Sequence, residues 1–125
     1  VQLAGYQPDA MLNALLASCD VLCLPSIERT EAFGLVQLEA MRFGKPVVVS
    51  DLPGSGTGWV VSQAGHGLAV APGDPQRLAE ALRELHADAD LRRRLGAAGA
   101  RALTDQFAIG RVAERVREVY AQALR

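Results

Sequence analysis

Short apolar runs alternate with longer amphipathic segments along this chain. That alternation predicts an α/β fold, a Rossmann-like parallel sheet with flanking helices. Residues 21–24 (VLCL) are continuously apolar and stop at Pro25, as a strand buried on both faces would. Residues 46–50 (PVVVS) are short and β-branched, the pattern of a second strand. Before the first of these strands, Met11, Leu12, Leu15 and Leu16 fall at helical spacing.

The remaining elements follow in order. Residues 1–5 (VQLAG) read as a short strand, and residues 8–18 as a helix with Pro8 in its first turn. Residues 35–43 form a helix ending at Gly44, a common C-terminal cap. A glycine-rich loop at residues 54–58 leads into a brief helix over 59–63, and residues 67–70 (GLAV) make the last strand. Asp74 and Pro75 read as N-cap and first position of a helix whose buried stripe is Leu78, Leu82 and Leu85. Two further helices span about residues 90–104 and 109–124. No repeat, linker or low-complexity segment interrupts the pattern.

With 125 residues, 50% of them hydrophobic and 22% charged, the chain has the size and composition of one domain with one core. A net charge of −1 gives no reason to expect nucleic acid as a partner. The run Arg92, Arg93, Arg94 reads as a solvated helix face. Cys19 and Cys23 are too few for a disulfide framework or a four-ligand zinc site. In their apolar surroundings they read as buried free thiols suited to a reducing cytosol. No apolar run reaches transmembrane length. The expected setting is therefore cytoplasmic, with peripheral contact at the inner membrane face as an option. The chain begins at Val1, without an initiator methionine or signal peptide, and so reads as a cut from a longer protein. His66 and His86 lack partners at ligand spacing, so no metal site is expected. Trp59 is expected as a core anchor. Asp51 stands where either ligand contact or turn chemistry would explain it.

The chemistry concentrates between Pro25 and Met41. The loop from Pro25 leaves the carboxyl end of a buried strand, the edge at which open α/β sheets bind ligands. Gly34 opens a helix, and the unpaired N–H groups there suit a phosphate. Glu31 lies just before this helix start, and Glu39 lies a little over one turn inside it. Glu39 stands among Leu38, Ala40 and Met41, where a buried carboxylate would need partners such as a pair of sugar hydroxyls. Favourable placement near a helix dipole explains both glutamates equally well on physics alone, at about 0.3–1 kcal/mol. The loop at 54–58 lacks the last spacing of a GxGxxG dinucleotide fingerprint, and Asp74 reads as a helix cap rather than a ribose-binding acid.

Residues 31–39 (EAFGLVQLE) resemble the E-x7-E motif of retaining glycosyltransferases of the family 4 type, glycosyltransferases group 1. Residues 17–26 (ASCDVLCLPS), 39–49 (EAMRFGKPVVV) and 65–74 (GHGLAVAPGD) are similar to further segments of that family, in the same order and at matching spacing. The resemblance implies the C-terminal, donor-binding domain of a two-domain GT-B enzyme, with residues 1–125 as a partial domain. It implies donor contacts along Glu31, Ala32, Phe33, Gly34, Leu35, Val36 and Glu39. Glu31 would be the catalytic-site carboxylate on the sugar hydroxyls and Glu39 the holder of the ribose. No tightly bound cofactor or metal is implied; a nucleoside-diphosphate sugar of UDP or GDP type would be substrate. The partners implied are that nucleotide sugar and the N-terminal GT-B domain.

Two departures from the family pattern stand out. The first two strands of the domain and a basic Arg/Lys pair would precede this chain, and neither Arg29 nor Lys45 matches that pair. In strand order 3-2-1-4-5-6 the chain supplies only strands 3 to 6. The strand at 21–24 would then be an exposed edge, inviting a dimer or strand-swapped assembly, and the isolated chain would be inactive. The second departure is the loop at residues 54–58: the family often has Pro-Glu near residues 58–59, and here that glutamate is absent; Gly-Thr-Gly with tryptophan resembles bacterial mannosyl- and rhamnosyl-type relatives. The competing reading is a non-catalytic Rossmann-like interaction module derived from such an enzyme. A sugar-nucleotide epimerase of GT-B fold fits the E-x7-E context poorly.

Overall fold

The computed structural model describes all residues, 1–125. It contains three strands, β1 (Leu22–Leu24), β2 (Val47–Ser50) and β3 (Gly67–Val70). The helices are α1 (Asp9–Ser18), α2 (Leu35–Arg42), α3 (Thr57–Ala64), α4 (Pro75–Ala87), α5 (Ala89–Ala102) and α6 (Ile109–Ala123). The strands are all parallel in the order β1-β2-β3, with Leu24 paired to Val49 and Ser50 to Val70.

The period of two along β2 sorts its side chains onto opposite layers. Val47 and Val49 pack with Ala40 of α2 and Val61 of α3 on one face, whereas Val48 packs with Ala81 and Leu85 of α4 on the other. All three valines are fully buried, so β2 is the continuously apolar central strand of an α/β/α sandwich. Leu78 and Leu82 pack onto the α4 side, as their spacing predicts. Asp74 caps α4, its carboxylate accepting from the Arg77 N–H at 3.0 Å, with Pro75 at the first position. α5 crosses close beneath the α2–β2 turn. A Cβ on Gly96 would lie 1.9 Å from the Gly44 carbonyl oxygen, so only glycine admits this approach.

Several expectations are corrected. Residues 1–5 form no strand; Val1 and Leu3 are fully exposed, because no neighbouring strand satisfies their backbone. The sheet therefore has three strands, with β1 at an edge as expected. Cys19 and Cys23 are free but only half-buried, Cys23 because it sits on that edge; partial burial still pushes its thiol upward. In α1 only Leu16 is buried, and Met11, Leu12 and Leu15 remain exposed. The helix over 90–104 ends in a π-helical turn, Leu103–Phe107. Arg92 is not purely solvated: its guanidinium donates to the Leu85 and His86 carbonyls at the end of α4, while Arg93 pairs with Asp90. No residue of α6 is buried. No helix is long and apolar enough to cross a membrane.

Candidate functional site at the carboxyl edge of the sheet

β1 and β2 run parallel, so the loops leaving Leu24 and Ser50 emerge side by side. They are stitched together. The Gly56 N–H donates to the Ala32 carbonyl at 2.6 Å, and the Ser55 hydroxyl donates to the Glu31 carbonyl at 2.5 Å. The two loops lead directly into α2 and α3, so both helix N-termini open beside one another. Each brings unpaired N–H groups and the positive end of a dipole.

Gly34 is the N-cap of α2 and adopts φ 76°, ψ 59°. A Cβ here would stand 2.8 Å from the Gln37 Nε2 and 2.9 Å from the Leu24 Cδ2, so conformation and crowding both demand glycine. Glu31 is half-buried, and its Oε1 accepts the Gly34 N–H at 2.9 Å. It thereby caps α2, an anion at the positive helix end.

Glu39 differs from its expectation. It is exposed and has no hydrogen-bond partner within the chain, because Leu35 and Arg42 beside it also face solvent. The buried face of α2 is Gln37, Ala40 and Met41. Hence no burial penalty forces a ligand onto Glu39; its carboxylate is simply open one turn above the helix start. Ala32 and Leu35 are exposed, Phe33 and Val36 half-buried, and Gly34 buried. The residues of the 31–39 motif thus lie along one loop and one helix, with Glu31 at the helix mouth and Glu39 on its open side.

The second loop adds polar support. The Thr57 hydroxyl donates to the Ser50 carbonyl at 2.8 Å, tying the start of α3 to the end of β2. Asp51 packs against the start of α3: a Cβ on Gly58 would fall 2.0 Å from its Oδ1, which explains glycine there. Arg29 lies against Gly54, at this same edge. Lys45 precedes β2 and lies at the opposite edge of the sheet.

Two features escaped the sequence reading. Trp59 is half-exposed rather than a core anchor. Its ring meets Phe33 and Phe107 with centroids 6.5 and 6.3 Å apart, and these three line a cleft of about 620 Å³ closed on its far side by Val112, Val116 and Tyr120 of α6. The spacing of Phe33, Trp59 and Phe107 along the chain carries no local signal, since each sits on a different element. His66 is fully buried beside Gly99 and Met41, with neither ring nitrogen hydrogen-bonded. Burial lowers its pKa from 6.5 to about 4, so its ring is neutral. No group of three or more His, Cys, Asp or Glu is placed to hold a metal ion.

Comparisons with known proteins agree with this fold. The model of the family described as glycosyl transferases group 1 matches residues 1–102. A phosphatidyl-myo-inositol mannosyltransferase of Mycobacterium leprae is 38% identical over 120 residues, covering 96% of this chain and 31% of that protein. Among solved structures, a sucrose-phosphate synthase from Thermosynechococcus elongatus is 32% identical, with TM-score 0.75 over 94% of this chain and 29% of its own. The Anabaena protein HepE, crystallised with UDP, is 26% identical, with TM-score 0.75 over 86% of this chain and 29% of its own. The chain thus spans about a third of the length of the relatives it matches. The α/β/α arrangement is that of GT-B glycosyltransferases, and this chain belongs to the glycosyl transferases group 1 family.

Proposed function

We propose that the carboxyl-edge site binds a nucleoside-diphosphate sugar, as the donor-binding part of a retaining glycosyltransferase. The observation that carries this reading is the pairing of two carboxylates with two helix N-termini around one loop cluster. Glu31 sits at the α2 mouth and Glu39 is open along α2. The N–H groups at the starts of α2 and α3 suit the diphosphate and would stabilise the charge that grows on it as the sugar departs. Glu31 would take hydroxyls of the donor sugar, and the backbone along Ala32, Phe33, Gly34 and Leu35 would approach the sugar and diphosphate. Val36 would lie beside phosphate or ribose, and Glu39 would accept from the ribose hydroxyl pair. HepE has been crystallised with UDP and with UDP-glucose, which supports the nucleotide-sugar class. A saccharide, lipid-linked or small-molecule acceptor would be bound mainly by an N-terminal GT-B domain, which would also supply the facing wall of the cleft.

The test is titration of the full gene product with UDP, GDP and ADP sugars, repeated with Glu39→Ala. Loss of a charge-assisted hydrogen-bond pair should weaken nucleotide binding about tenfold to a hundredfold. Unchanged affinity in the variant would remove the ribose role of Glu39. Absence of binding by any nucleotide sugar in the unaltered protein would favour a non-catalytic interaction module instead.

A further inference from the structure

Gln37 is the one fully buried polar residue of α2, on a face otherwise made of Ala40 and Met41. It stands three residues after the N-cap, the position from which a glutamine side chain ordinarily reaches back to the N-cap N–H. Here that N–H is already taken by Glu31. The Gln37 amide instead donates from Nε2 to the Phe33 carbonyl at 3.2 Å and to the Thr57 carbonyl at 3.3 Å. Both partners are acceptors, which fixes the amide orientation: a flipped amide would set oxygen against two oxygens. Its Oε1 has no partner in the protein.

A methionine or leucine would fill this space without a buried unsatisfied oxygen. The amide does something that an apolar side chain cannot: it joins the loop carrying Glu31 to the first turn of α3 from beneath. The Ser55–Glu31 and Gly56–Ala32 bonds join the same two segments nearer the surface. Together they hold both helix mouths in one relative position.

We propose that Gln37 is a positioning residue for donor binding. It locks the 31–34 turn against the start of α3, so that Glu31 and the N–H groups of both helix starts meet one ligand. This rests on the nucleotide-sugar reading of the site, but its mechanical core is testable apart from that reading.

The experiment compares Gln37→Met with the unaltered full gene product in two measurements. The first is amide hydrogen exchange at residues 31–35 and 55–58 without ligand. Faster exchange there, with exchange along β2 unchanged and the thermal midpoint held or raised, is expected. The second is donor KM and kcat with the nucleoside-diphosphate sugar that binds best. A rise in donor KM of about tenfold, with a fall in kcat, is expected from a loosened site. Gln37→Leu, which removes the amide with a different apolar shape, serves if Gln37→Met fails to fold, and Ser55→Ala, which removes the neighbouring bridge to Glu31, should move both measurements the same way. Unchanged exchange in a folded variant overturns the positioning role, as does unchanged KM and kcat. If the unaltered protein binds no nucleotide sugar, the functional reading falls while the exchange result still decides whether Gln37 couples the loops.

Discussion

Acidification from pH 7.5 to 5 should cost this protein about 2 kcal/mol through His66 alone. The ring has no solvent exposure, sits beside Gly99 of α5 and Met41 of α2, and neither nitrogen has a partner. Burial lowers its pKa from 6.5 to about 4. In the unfolded chain the ring takes a proton as pH falls through 6.5; in the folded chain it refuses one until about pH 4. Between those values the unfolded state binds more protons, so stability falls with pH. The contribution is complete above pH 6.5. At about 1.4 kcal/mol for each factor of ten in proton affinity, ~3 kcal/mol is gone below pH 4. The assay is urea unfolding followed by circular dichroism at several pH values, for the unaltered protein and His66→Leu. The leucine variant cannot titrate at this site and loses no hydrogen bond, since the ring makes none. The stability difference between the two should therefore change by ~2 kcal/mol over this range, the histidine protein losing ground as acid is added. Parallel stability curves from pH 7.5 to 5 would refute the assignment of a buried, neutral His66.

Three other outcomes follow from the packing. Gly34→Ala should lower the free energy of unfolding by about 2 kcal/mol or more, read from the urea midpoint, because the new Cβ meets left-handed strain as well as Gln37 and Leu24. Asp74→Ala should remove the cap on Arg77 and cost ~1 kcal/mol, seen as a lower thermal midpoint. The isolated 125-residue chain should self-associate through the open edge of β1, giving a mass above the monomer in light scattering; a monomer at all concentrations would count against edge pairing.

The legible parts of the fold were those dictated by short-range pattern. Valines at 47–49, the Asp74–Pro75 helix start and the 3.6-residue stripe of α4 are local signals, and each element stands where its pattern placed it. The strand expected at residues 1–5 failed for a non-local reason: a strand needs a partner, and none lies beside it. Trp59 failed similarly, because a large aromatic residue reads as core until the tertiary fold shows α6 standing off and leaving a cleft. In the site, the spacing of Glu31, Gly34 and Glu39 located the helix mouth. The inference that Glu39 must be buried confused sequence neighbours with spatial ones: Leu38, Ala40 and Met41 flank it along the chain but point to other faces of α2. The polar residue that is buried, Gln37, drew no notice because glutamine is a good helix former and breaks no pattern.

The capping role of Glu31 and its proposed ligand role use the same atoms. Its Oε1 now occupies the Gly34 N–H, one of the donors that a diphosphate at the α2 start would approach. A phosphate arriving there brings its own negative charge to the helix end, so carboxylate and phosphate compete for one positive site. On the donor reading, the ligand takes over the cap and the freed carboxylate turns to the sugar hydroxyls. The phosphate would then replace the cap lost by the helix, so the exchange would leave no N–H unsatisfied. On that reading glycine at 34 would let either anion approach the backbone, and the Gly56–Ala32 hydrogen bond would hold the mouth in place during the exchange. That is why a glutamate which physics alone explains as a helix cap is not thereby excluded from binding: the cap holds the carboxylate beside the place where a donor would need it.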